Sequence, residues 1–192
     1  MALPERPAAR YDAVADVFTQ LVDGTDAWAA PSPVAGWTAG DVVWHLTDWI
    51  PDVLRDGAAI TLPRRDPAAP DPAADWARFD EAMRAVVSSP EVTDAPFVHP
   101  MAGSMTVGTA IDMLMTPDIF MHSWDLARAS GQPLTMDADY SGVLLSGLEG
   151  IEEMLRSSGH YGQRVDVPAD ADVATKLIAF IGRDPNWRAG RE

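Results

Sequence analysis

Residues 116–132, TPDIFMHSWDLARASGQ, constrain the fold of this chain more than any other stretch. Read as a helix, they place His122 at about 40° and Asp125 at about −20° around the axis from Asp118. Ile111, Leu114 and Ala129 fall on the same side. Two acids and a histidine therefore stand within the apolar stripe that should face a core. A buried carboxylate costs several kcal/mol unless something pairs with it. Asp118 and His122 are spaced i, i+4, so their side chains can converge on one point. A metal ion is the simplest partner that stabilises both. A buried His–Asp hydrogen bond without metal is the other solution.

The rest of the chain supplies the helices around that stretch. Tyr11, Val14, Ala15, Phe18, Leu21 and Val22 repeat at helical spacing and predict a first helix over 7–27, with Gly24 near its end. The loop 30–37 holds two prolines and a glycine. A second helix is expected from Thr38, an N-cap with Asp41 three residues on, carrying Val42, Val43, Leu46, Trp49, Ile50, Val53 and Leu54. Pro51 is expected to kink or end it. Residues 61–73 read as a proline-rich surface connection, and Trp76, Phe79, Met83, Val86 and Val87 predict a third helix over 73–88.

Residues 90–105 read as non-helical, with a short strand or hairpin over 92–101. A fourth helix is expected from Thr106. Pro117 either kinks it or, with Thr116 as cap, opens a new helix. Gly131 and Pro133 mark its end. Further helices are expected over 137–158 and 170–181, with Gly182 as a stop and Trp187 plugging the core. Four long amphipathic helices with short extras, and room for one small hairpin, predict an all-α four-helix bundle forming a single domain over 1–192.

Cysteine is absent, so the fold carries no disulfide, and any metal site must use His, Asp or Glu. The net charge of −15 argues against nucleic acid or an anionic membrane as partner. It favours solubility and, as a small-molecule partner or substrate, at most a cationic or neutral ligand at the outer surface. No run of about 18 apolar residues is available for a membrane span, and the N-terminus lacks the apolar core of a secretory signal, so a cytoplasmic protein is expected. An apolar outer stripe would allow a homodimer, although no coiled-coil register is evident. His45 lies at the edge of the second helix's apolar face, where a hydrogen bond would satisfy it. His99, followed by Pro100, is kept out of the α region and reads either as an exposed loop histidine or as one turned into a site.

Three segments, GWTAGDVVWHLTDW over 36–49, DIFMHSWDLARASGQ over 118–132 and LIAFIGRDPNW over 177–187, together resemble the mycothiol-dependent maleylpyruvate isomerase N-terminal domain. That domain is part of the wider DinB-like group of metal-binding four-helix bundles. The resemblance implies His45 and His122 as metal ligands, with Asp118 as the acidic ligand one turn before His122. It leaves Asp125 as an outer acceptor for a ligand histidine, or as a fourth ligand should Asp118 turn away. Two histidines and a carboxylate fit Zn²⁺, and Ni²⁺, Co²⁺ or Fe²⁺ accept the same atoms. The isomerase carries a further C-terminal domain, and 192 residues are expected to hold the bundle alone, so activity on maleylpyruvate is not implied.

The function expected from this resemblance is a metal-dependent transferase or isomerase that uses a mycothiol-type thiol against a small electrophile. The metal would lower the thiol pKa. His99 or Asp125 would move a proton, and Arg128 would pair with a substrate carboxylate unless it is only a surface residue at the helix C-terminus. Two other readings stand beside it: a metal-holding bundle that binds a small molecule or partner without chemistry, and a bundle whose site is only structural or empty.

Overall fold

The computed structural model describes residues 2–158 and 161–189. It is mostly helical, with one two-stranded hairpin. Helix α1 (Pro7–Asp23) buries Tyr11, Val14, Ala15, Phe18, Leu21 and Val22, the residues that the spacing selected. One of its last carbonyls is met from outside: the Gln132 amide donates to Leu21 O at 2.8 Å, and also to the Thr25 hydroxyl at 3.2 Å. That contact ties the end of α1 to the turn after α6 (Thr116–Ser130).

Helix α2 (Ala39–Ala58) starts with the expected capping box, in which Asp41 N–H donates to Thr38 Oγ1 and Thr38 N–H donates to Asp41 Oδ2. Pro51 neither ends nor divides it; the helix runs on to Ala58, and Pro51 is buried among core residues. Packing there outweighs the one ladder bond that the proline cannot donate. Helix α3 (Pro72–Val87) is capped by Asp71, and it buries Trp76, Phe79 and Met83.

Ser89 caps a short helix α4 (Pro90–Thr93), where the sequence predicted no helix. A serine N-cap followed by proline at the first helical position outweighs the β-branched Val92. The hairpin lies later than expected: β1 (Pro96–His99) pairs antiparallel with β2 (Gly103–Thr106), Phe97 opposite Met105. Phe97 is fully buried against the backbone of α2 at Gly57. A Cβ on Gly57 would lie 2.2 Å from the Phe97 ring, so only glycine admits this approach.

Helix α5 (Val107–Ala110), a π-helical turn over Ile111–Met115 and α6 form one continuous helical run. Met115 and Thr116 both have right-handed helical backbone, so Pro117 does not open a separate helix. Instead Thr116 N–H reaches back five residues to Ile111 O. The widened turn lies immediately before the proline, whose ring would otherwise crowd the carbonyl four residues earlier.

The helix expected over 137–158 is two: α7 (Ala138–Glu149) and α8 (Glu152–Ser158), separated at Gly150 and Ile151. Helix α9 (Val173–Phe180) begins after the Asp172 cap. Trp187 packs against the core but is only half-buried. The core is assembled by α1, α2, α3 and α6: α1 packs on α3 and α6, and α2 packs on the same two. Helix α7 packs on α9 beside this arrangement. Among the described residues, no helix is long and apolar enough to cross a membrane.

Candidate metal centre

The facing of α2 on α6 brings together residues far apart in sequence. His45 and Trp49, one turn apart on α2, meet Asp118 and His122, one turn apart on α6. His45 Nε2 lies 3.3 Å from Asp118 Oδ2, and His122 Nε2 lies 3.6 Å from Asp118 Oδ1. One donor atom from each of the three residues lies within 4.8 Å of the other two. These separations are longer than good hydrogen bonds. They run to different Asp118 oxygens and lie close to the roughly 3.3 Å edge between two ligands of a tetrahedral ion, so one ion could sit among the three side chains. The three residues form a candidate site for a divalent cation.

Each donor is oriented by a neighbour. The Trp49 indole N–H donates to Asp118 Oδ2 at 2.9 Å. His122 Nδ1 lies 2.9 Å from Asp125 Oδ2, so a proton on Nδ1 leaves the Nε2 lone pair directed at the cluster. Asp125 has no exposed side-chain surface. Arg183, from the tail after α9, holds both its oxygens: Nε donates to Oδ1 at 3.1 Å and Nη2 to Oδ2 at 3.2 Å. Both Asp125 oxygens are thus occupied, which puts this residue behind His122 rather than beside Asp118.

The electrostatics follow from this packing. Burial pushes the Asp118 carboxyl up, but the charge on His122, the His45 imidazole beside it and the Trp49 N–H outweigh it and hold Asp118 below the usual carboxylate range. Burial pulls His122 down, and the flanking Asp118 and Asp125 outweigh it, raising His122 above the ordinary imidazole value. Tyr161 is half-buried and pushed up to about 12, chiefly by burial and then by the charge of Asp118. Its hydroxyl therefore stays protonated throughout the neutral range.

Trp37 covers the imidazoles. Its ring stacks on His122, centroids 5.8 Å apart, and lies 5.0 Å from the His45 ring. Beyond His45 opens a groove of about 330 Å³ lined by Trp37, Asp41, Trp44, Asp48, Trp49 and Arg65. Arg65 belongs to the proline-rich connection; its guanidinium lies over Trp44 and its Nε is 3.0 Å from Asp48 Oδ2. Through Arg65 that connection becomes one wall of the groove.

Two sequence-selected residues lie elsewhere. His99 sits on β1, where its Nδ1 accepts the Met101 N–H at 3.3 Å and its ring faces Phe97. Arg128 lies over Trp124 in a second groove. Four residues at the cluster escaped the sequence reading: Trp37, Trp49, Tyr161 and Arg183. Trp49 stands one turn after His45, and that spacing was a usable signal. Tyr161 and Arg183 come from loops whose approach to α6 no periodicity encodes.

A mostly helical protein with a candidate two-histidine, one-aspartate cation site between facing helices is the class that this geometry defines. The chain belongs to the mycothiol maleylpyruvate isomerase N-terminal domain family, whose profile matches residues 11–127. The match spans His45, Asp118, His122 and Asp125; Arg183 lies beyond it. Two relatives from Mycobacterium tuberculosis are uncharacterized protein MT0763 of strain CDC 1551 / Oshkosh and uncharacterized protein Rv0738 of strain ATCC 25618 / H37Rv. Each is 27% identical over 186 residues, covering 92% of this chain and 97% of the relative. No solved structure matches the chain.

Proposed function

We propose that this protein is a metal-dependent transferase or isomerase that directs a low-molecular-weight thiol of the mycothiol type onto a small electrophile. Its scaffold is read as a DinB-like four-helix bundle, an assignment supported by the mutual packing of α1, α2, α3 and α6. The observation that carries the functional reading is the spacing of His45, Asp118 and His122, too long for strong hydrogen bonds and suited to sharing one ion.

His45 Nε2, His122 Nε2 and an Asp118 oxygen would hold the ion, with Zn²⁺ the best match to two imidazoles and a carboxylate. A divalent ion bound there supplies Lewis acidity, which lowers the pKa of a coordinated thiol and makes thiolate available near neutral pH. Three protein ligands would leave a position open on a four-coordinate ion, as catalytic sites do and closed structural sites do not. This favours chemistry over a purely structural role.

The chain's own side chains do the rest. Asp125, held by Arg183, keeps His122 in one tautomer and orientation. Trp49 fixes the Asp118 carboxylate. Trp37 shields both imidazoles from water on one side. The groove beyond His45 would take the body of the thiol or the electrophile, with flat indole faces and Asp48 for contacts. Tyr161, protonated at neutral pH and within the field of Asp118, would donate to an oxygen that gains charge as the electrophile is attacked.

The test is turnover of mycothiol and a small electrophile by purified protein, with and without chelator. Thiol consumption that chelator abolishes and Zn²⁺ restores supports the proposal. Turnover indifferent to chelator removes the metal from it, and loaded protein that consumes no thiol supports the reading of a metal-holding binding module.

A further inference from the structure

Arg128 lies about 15 Å along α6 from Asp118 and is turned about 80° around the axis, so it serves a different place. The groove there, of about 290 Å³, has apolar walls from Leu134, Met136, Ile178 and Pro185, with Trp124 and Arg128 beside them. In a chain where 29 acids face 14 bases, arginines normally find a carboxylate. Arg10, Arg55, Arg64, Arg65, Arg84 and Arg183 all do so. Arg128 does not. Among the described residues it has no ion-pair or hydrogen-bond partner, only the face of Trp124 at 5.2 Å.

A carboxylate does line the same groove, but it is already engaged. Asp172 Oδ1 accepts the Thr175 N–H at 2.9 Å, and Oδ2 accepts the Thr175 hydroxyl at 2.7 Å, as the cap of α9. A second guanidinium adds to the imbalance. Burial, and then the charge of Arg188, disfavour the charged form of Arg128, and among the described residues the Arg188 side chain bonds to the neighbouring Trp187 carbonyl alone. A half-buried guanidinium with no ion-pair partner among the described residues is costly to hold. A bound anion offsets that cost. A guanidinium fork presents two parallel N–H groups to an oxyanion, and the apolar walls suit a hydrocarbon body.

We propose that this groove is a second ligand site, separate from the metal centre, which binds a small organic carboxylate through Arg128 with its apolar portion against Leu134, Met136 and Ile178. The inference does not depend on metal or on thiol chemistry.

The test is a titration of the full chain with sodium benzoate at constant ionic strength, followed by ¹H–¹⁵N spectra. Benzyl alcohol and inorganic phosphate serve as parallel probes. Saturable shifts of the Trp124 indole and of amides in α9 are expected with benzoate and not with benzyl alcohol. Binding should weaken at least about tenfold in Arg128→Gln, as expected for loss of a charged bidentate contact. Arg188→Gln, on an exposed side chain where folding is not at stake, should weaken it by a smaller factor. Equal binding of benzyl alcohol, undiminished affinity in both variants, no saturable shift, or shifts at His45 and His122 instead would each overturn the proposal. Phosphate binding at these residues without benzoate binding would overturn the carboxylate assignment.

Discussion

Arg183 grips Asp125 with two hydrogen bonds, Nε to Oδ1 at 3.1 Å and Nη2 to Oδ2 at 3.2 Å, although 58 residues separate them. The grip neutralises a carboxylate that has no exposed surface, and this same carboxylate orients His122. Removing Arg183 strands the buried charge. Arg183→Met should lower stability by about 3 kcal/mol in urea denaturation. The double variant with Asp125→Asn should lose less than the sum of the singles, because the stranded charge is gone. Additive losses would mean that the two residues act independently.

Trp49 contributes a single N–H to Asp118 from a half-buried ring. Trp49→Phe removes that donor and keeps most of the packing. The Zn²⁺ affinity, measured by competition with a chromogenic chelator, should fall by about 10-fold or more, with little change in melting temperature of the metal-free protein. Unchanged affinity would show that Asp118 is positioned by something else.

Phe97 pressed onto Gly57 joins the hairpin to α2. In Gly57→Ala the added methyl would enter the ring, and the cost should be about 1–3 kcal/mol. Adding Phe97→Leu should recover part of it. Unaltered stability in the single variant would mean that the hairpin is free to move away.

Asp172 gives a pH-dependent term. The Thr175 N–H, then its hydroxyl, hold this carboxyl below the usual range. A lowered folded-state pKa contributes stability above the unfolded value of about 3.9, and the contribution is lost as pH falls through the folded value. Asp172→Ala should therefore cost about 1 kcal/mol at neutral pH, and the difference from wild type should vanish in acid. A difference that persists below pH ~2 would contradict the capping role.

Much of the scaffold could be read from spacing, because α1, α2 and α3 bury residues that recur at helical spacing, whereas α6 is buried on nearly every side. The boundaries that failed have local causes. Gly150 and Ile151 interrupt a pattern whose periodicity continues across them, and the π turn before Pro117 leaves no mark that a period of 3.6 would detect. Asp118, His122 and Asp125 announced themselves as charges in an apolar stripe. His45 did not, being an edge histidine singled out by family resemblance. Arg183 and Tyr161 reach the site through the tail and a loop, where only the three-dimensional path brings them near. Gly182, with φ of 87° and a Cβ position 2.7 Å from Gly162 Cα, makes that path feasible.

Whether His45, Asp118 and His122 hold a divalent ion is settled most directly by elemental analysis of the protein as purified and after Zn²⁺ loading and desalting. About one equivalent of a divalent transition metal is predicted for the wild type, and its loss in both His45→Ala and His122→Ala. Wild-type protein that retains no metal after loading, or variants that retain as much as wild type, would contradict the account.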